Sequence, residues 1–141
     1  MTQHEAPQRS TGIWRPTSTD DAVVRYQIAD LDRGVDFYTS QLGFRLEQRA
    51  GPIAVVSRGA LHLILSAPAS SGAQPLADGQ TQQSGGWNRI VLYVDDIAAD
   101  VERLHSAGVT FLNDIREGPG GKQVQVTDPD GNSIELHEAP A

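Results

Sequence analysis

From Val23 to Ala29 the chain alternates. Val24, Tyr26 and Ile28 fall on one side, and Val23, Arg25 and Gln27 on the other. That two-residue period predicts a strand with one buried face. Asp30 or Asp32 then stands where a carboxylate accepts from the unpaired N–H groups of a helix start. Leu31, Val35, Tyr38 and Leu42 recur at helical spacing with Phe37 beside them, which predicts a helix over about 31–42. Gly43 suits the left-handed residue that ends it. Three short strands are expected over 44–49, 53–58 and 60–66, with Gly51-Pro52 and Gly59 at the turns.

Residues 67–86 are rich in Ser, Gly, Gln, Ala and Pro and read as a linker or mobile loop. The pattern then repeats. Ile90, Leu92 and Val94 form one face of a strand over 88–94. Asp95 or Asp96 caps a helix with the stripe Ile97, Val101 and Leu104, and Gly108 stops it. Strands are expected near 110–115, 122–127 and 133–138, the last two joined by the turn Asp128-Pro129-Asp130-Gly131-Asn132. Asp30-Leu31 lies over Asp96-Ile97 at an offset of 66 residues, and Gly43 and Gly108 agree with it to within one residue. An internal period of this kind marks a duplicated module. The expected fold is α+β: two tandem βαβββ modules, 22–66 and 87–139, joined by the 67–86 linker and preceded by a flexible arm over 1–21. Each helix covers one face of its sheet. The other faces form a curved lining around a cavity.

Composition narrows the function. With 141 residues the chain is one domain's worth and can bury a core. It has no cysteine, so disulfides and thiolate chemistry are excluded. The start is polar, with Pro7 and Pro16 and no apolar signal region, and no run is long enough to span a membrane. A cytoplasmic protein is expected. The net charge of −7 argues against nucleic-acid and anionic membrane partners. Ile13 and Trp14 are the arm's bulky apolar residues and offer a docking point on the domain or a partner.

Ile28-Ala29-Asp30-Leu31, Phe37-Tyr38, Leu42-Gly43-Phe44, Val94-Asp95-Asp96 and the run Asp128 to Leu136 come in a characteristic order and spacing. In these residues the chain resembles the vicinal-oxygen-chelate superfamily over about 22–139. That superfamily holds glyoxalase I, extradiol dioxygenases, fosfomycin-resistance proteins, methylmalonyl-CoA epimerase and bleomycin-binding proteins. The resemblance implies a homodimer, with a cavity that a partner chain can complete. Metal-dependent members place four ligands facing that cavity. Carried onto this chain, the positions are Val23, seven residues before Asp30; His62, with a slip to Ile64 left open; Arg89, seven before Asp96; and Glu135, after the turn. Valine has no donor atom and arginine stays protonated. His62 and Glu135 alone remain, fewer ligands than a stable divalent site takes. No cofactor is therefore expected; the alternative is a divalent metal held by His62 and Glu135.

Alternation also sorts the lining. Ser133, Glu135 and His137 oppose Ile134 and Leu136. Arg89, Val91 and Tyr93 oppose Ile90, Leu92 and Val94. Arg25 and Gln27 join from the first strand, and His62 faces in if Leu61, Leu63 and Leu65 face the helix. Arg89 and Glu135 are expected side by side, either as a ligand-contacting pair or as two charges that only neutralise each other. His62 near Glu135 or His137 is a candidate general base, or else a histidine satisfied by backbone. In Gly118-Pro119-Gly120-Gly121-Lys122-Gln123 the phosphate-loop spacing is missing. This segment is either a hairpin turn or a means for Lys122 or Gln123 to reach the cavity mouth. Trp87 and Tyr93 are candidate aromatic walls. His4 and His105 are expected to face solvent. The calcium-loop reading of Asp128 and Asp130 fails on spacing.

The expected function is a metal-free binding protein whose small organic ligand is carboxylate-bearing or planar. Arg25, Gln27, Arg89, Tyr93, Lys122 and His137 are its candidate contacts, and bleomycin-binding proteins its nearest analogues. The alternatives are a metal-dependent lyase, epimerase or dioxygenase, or a metal-free isomerase using His62 or Glu135 in acid–base catalysis.

Overall fold

The computed structural model describes residues 22–141; the expected arm over 1–21, with Ile13, Trp14 and His4, lies outside them. The chain divides between Gln82 and Gln83 into two compact units, each with its own sheet.

In the first unit, strand β1 (Val23–Gln27) leads to helix α1 (Leu31–Asp36), then to β2 (Arg45–Ala50), β3 (Ile53–Arg58) and β4 (Leu61–Ser66). The sheet order is β1-β4-β3-β2, with β1 parallel to β4 and the other pairs antiparallel. Asp30 is the cap: its Oδ1 accepts from Arg33 N at 3.2 Å. The expected regular helix to Leu42 ends early, and Phe37–Gln41 is a wider π-helical turn. Within it the Thr39 hydroxyl donates to the Val35 carbonyl at 2.7 Å, a back-bond of the kind that bends helices. The wide turn buries two consecutive aromatics, Phe37 and Tyr38, whose rings meet edge to face at 5.2 Å. Phe44 closes on Tyr38 from the other side at 5.3 Å. Ile28, Ala54, Val56, Leu63 and Leu65 complete the core.

The expected linker is in part a packed segment. Ser70 and Ala73 are buried, Ser71–Ala73 forms a single 3-10 turn, and Ala67 N donates to Pro52 O at 2.9 Å. Small side chains let this backbone lie against the sheet, so the composition that reads as loose here serves close approach.

In the second unit, β5 (Ile90–Tyr93) is followed by α2 (Ile97–Ser106), β6 (Thr110–Phe111), β7 (Arg116–Gly118), β8 (Gly121–Thr127) and β9 (Ser133–Glu138). The order is β5-β9-β8-β6, with β7 also paired to β8 and β5 parallel to β9. The first sheet's connectivity is thus repeated. Asp96 caps α2 through Ala99 N at 3.1 Å, and Glu138 Oε1 takes the free Ile97 N at 2.9 Å. Of the strand expected near 110–115 only Thr110–Phe111 forms, and β7 begins beyond it at Arg116. Asn113 Oδ1 accepts from Gln125 N at 2.9 Å, where a ladder carbonyl would stand. His105 is exposed as expected, yet its ring stacks on Phe111 at 3.9 Å. Buried Asp128 holds the turn before β9: Oδ1 accepts from Asp130 N and Asn132 N, and Oδ2 from Asn132 Nδ2, all within 2.9 Å. No helix among the described residues is long and apolar enough to cross a membrane.

Candidate functional site

Register fixes which side chains share the face of the second sheet opposite α2. One row runs Val91, Glu135, Gln125; the next runs Tyr93, His137, Gln123. Leu112, whose N–H donates to Gln125 O at 2.9 Å, extends the first row at the far edge. Val91 and Leu112 are exposed, as is Tyr93 at 63 %, while Glu135 between them is buried. An ionised carboxylate is rarely buried unless its charge is compensated.

The compensation is complete. Arg89 Nε and Nη2 both lie 2.9 Å from Glu135 Oε1. His137 Nδ1 lies 2.8 Å from Oε2. The Gln123 amide nitrogen, turned toward the carboxylate, donates to both oxygens at 3.1 Å. Arg89 and Glu135 are thus the pair expected from the strand order, but the imidazole against Glu135 is His137. His62 belongs to the first unit.

Both ring nitrogens of His137 stand against acceptors, since Nε2 lies 2.8 Å from the Gly120 carbonyl. A neutral imidazole has one N–H and satisfies only one acceptor; the imidazolium satisfies both. The Gly120 carbonyl, followed by the hydrogen bond and charge of Glu135, raises the His137 pKa above its ordinary 6.5 against opposing desolvation. A raised folded pKa stabilises the fold fully below the unfolded value. That contribution is lost as pH rises through the folded value. Urea midpoints are therefore expected to fall as pH is raised from about 6 to 9, and His137→Gln should remove the slope that this residue contributes. A wild-type midpoint unchanged across that range would mean that His137 takes up its proton equally in the folded and unfolded chain, and a rising one that it is neutral in the fold.

Tyr93 lies beside this ring, tilted 39° to the imidazole at 4.9 Å. Lys122 is another of the expected contacts. It alternates with Gln123, so it lies on the opposite side of β8 beside Glu138, with Nζ 4.0 Å from Oε2. Gln123 occupies the Glu135 face in its place. The signal was available, because Val124 and Val126 had to face the helix, which sends Gln123 and Gln125 to the other side. The glycine-rich segment is the hairpin turn: Gly118 pairs with Gly121 across Pro119-Gly120, and Gly120 supplies the carbonyl that His137 meets. Trp87 is almost wholly exposed before β5.

In the first unit, register sets Val23, His62 and Ser57 on one row and Arg25, Ile64 and Val55 on the next. His62 is buried and its backbone N donates to Ala22 O at 3.2 Å. A bulge in β2 between Leu46 and Gln48 turns Glu47 toward Ser57, whose hydroxyl donates to it at 3.0 Å. Arg25 Nη1 donates to Ser66 Oγ at 2.6 Å, and Gln27 Nε2 to Gly72 O at 2.9 Å.

These donor sets do not fit a divalent cation. Glu135 is already engaged by the Arg89 guanidinium and the His137 imidazole, and a metal would have to displace both and sit beside a fixed positive charge. Val23 offers no donor atom. Among the described residues no three His, Cys, Asp or Glu side chains cluster as metal ligands.

Comparison with known proteins adds independent findings. The sequence profile of the Glyoxalase/Bleomycin resistance protein/Dioxygenase superfamily matches residues 22–136. No curated protein matches. Among solved structures, an antibiotic binding protein, TnmS3, from Streptomyces sp. CB03234 is 25 % identical, with TM-score 0.66, covering 90 % of this chain and 100 % of its own. A superfamily member from Sphaerobacter thermophilus is 27 % identical, with TM-score 0.66, covering 82 % of this chain and 94 % of its own. A lactoylglutathione lyase from Agrobacterium tumefaciens is 24 % identical, with TM-score 0.66, covering 88 % of this chain and 96 % of its own; at that identity the likeness is one of fold.

Proposed function

This chain belongs to the Glyoxalase/Bleomycin resistance protein/Dioxygenase superfamily, and from that premise we propose that it binds a small organic ligand without a metal. The observation that carries this reading is Glu135. At the position where metal-dependent members of the superfamily present a ligand, both carboxylate oxygens are taken by Arg89, His137 and Gln123. The same engagement weighs against Glu135 as the base of an acid–base isomerase, the role for which His62 was the other candidate. A general base needs an oxygen or nitrogen able to accept a substrate proton. Glu135 accepts at both oxygens, and both His137 nitrogens meet acceptors.

What remains is a recognition surface. The Arg89 guanidinium and the His137 imidazole flank one carboxylate beside an exposed aromatic ring, with Val91 and Leu112 as apolar edges. Such a surface favours a flat, anionic molecule, stacked on Tyr93 and drawn toward Arg89. The antibiotic-binding relative, 25 % identical, is in keeping with a binding role.

The test compares 2-naphthoate with 2-naphthylmethylamine by calorimetry, in chelator and again after zinc or manganese loading. The carboxylate is expected to bind equally under both conditions and at least about tenfold more tightly than the amine, with Tyr93→Ala weakening it. Binding that appears only after metal loading would overturn the proposal. The proposal includes a cytoplasmic homodimer that binds neither nucleic acid nor membranes. Light scattering of the intact chain is expected to report twice 15.2 kDa, and a monomer at micromolar concentration would count against it.

A further inference from the structure

Arg25 projects from β1 on the face shared with Ile64 and Ser66. Its guanidinium is held on one edge, where Nη1 donates to Ser66 Oγ. Its plane lies against the 67–74 segment at Gly72, where any Cβ would run into Nη1, Cζ and Nε. That segment is fastened beside it, since Gly72 O accepts from Gln27 and Ser70 and Ala73 are buried. Among the described residues no carboxylate pairs with Arg25, although the chain as a whole is strongly acidic. Arg45, Arg49, Arg89 and Arg103 each have such a partner. A flexible arginine normally loses side-chain entropy when it meets an anion. One already fixed by a hydroxyl and a backbone surface has given most of that up on folding.

We infer that Arg25, cradled by Ser66 and Gly72, is an oxyanion subsite that receives the carboxylate or phosphate group of a small organic molecule. The fork edge turned away from Ser66 supplies parallel N–H donors of the spacing that such groups accept. Gly72 is part of the site because it leaves room for the guanidinium. This goes beyond the reading of the second sheet and stands whether or not that reading holds.

The test uses two simple probes on the full chain, inorganic phosphate and acetate, followed through the backbone amide resonances of Ser66, Ala67 and Gly72. Saturable shifts are expected with at least one probe, and which one binds more tightly assigns the anion. Arg25→Gln should weaken binding about tenfold. Gly72→Ala keeps every charge but spoils the cradle, and is expected to weaken it comparably. Arg25→Lys should fall between, and Lys122→Ala, a loss of positive charge elsewhere, should change nothing. Thermal stability of each variant is recorded alongside, so that a collapsed segment is recognised by its melting temperature. Wild-type resonances that do not move, or binding that survives Arg25→Gln unchanged, would overturn the inference.

Discussion

Gly121→Ala is expected to be the most damaging single-methyl addition in the second unit, costing about 3 kcal/mol or more and lowering the melting temperature by roughly 10 °C. Gly121 begins β8 at φ +112°, a conformation that L side chains rarely adopt. Space is as short as conformational freedom, because a Cβ there would run into the Glu138 carbonyl oxygen of the neighbouring strand. That oxygen is backbone and cannot swing aside. Relief would need β8 and β9 to separate where Lys122 pairs with Glu138, or the turn to change shape. Either movement shifts Gly120, the carbonyl partner of His137, so the damage should spread to the Glu135 face. Gly118→Ala, across the same turn, has negative φ and open space around it and should be nearly silent. Thermal melts of the two variants separate the explanations. Equal, small losses in both would show that the turn relaxes freely and that the crowding at Gly121 is not real.

Much of this arrangement was legible in the residues, because the strongest signal was alternation. Ile90, Leu92, Ile134 and Leu136 had to share a core. Their neighbours Arg89, Tyr93, Glu135 and His137 were thereby committed to one face, and the parallel pairing of β5 with β9 set Glu135 within reach of Arg89. The same rule favours Gln123 over Lys122, the two residues between which the glycine-rich segment left the choice open. Elsewhere the chain obeyed contacts that no periodicity announces. The hydroxyl of Thr39 bonds back to the Val35 carbonyl, the amide of Asn113 takes a backbone N–H of β8, and Gly72 leaves room for Arg25. Each is one polar or missing side chain acting on distant or local backbone, and composition reads the same whether or not the contact forms. The histidine partner was missed for a related reason. His137 sits two residues from Glu135 on one strand face, a local neighbour, whereas His62, the candidate base, lies on a different module.

Removing the Glu135 carboxylate should reveal what the cluster is for. In Glu135→Ala, Arg89 and His137 lose the charge between them, and the Gln123 amide loses its acceptors. Stranding a cation after deleting its buried partner typically costs about 3–5 kcal/mol. Here the lower end applies, about 3 kcal/mol, because Arg89 is 32 % exposed and can turn toward water. A melting temperature lower by roughly 8 °C is expected. His137 should also titrate at lower pH, because a hydrogen bond and a charge that both favour its protonated form are gone. Its ring resonances report this directly. Glu135→Gln separates charge from shape. It keeps an oxygen to accept from Arg89 but places an N–H₂ group among donors, so the His137 titration should move the same way with a smaller loss of stability. Ligand binding then divides the two roles weighed for the pair. If the carboxylate only neutralises its neighbours, both variants lose stability while a flat anion binds as before. If it also holds Arg89 at the angle from which the ligand is received, affinity for 2-naphthoate changes in Glu135→Gln even where the fold survives. A variant that melts with the wild type and leaves His137 untouched would show that the three side chains are neighbours without being a network.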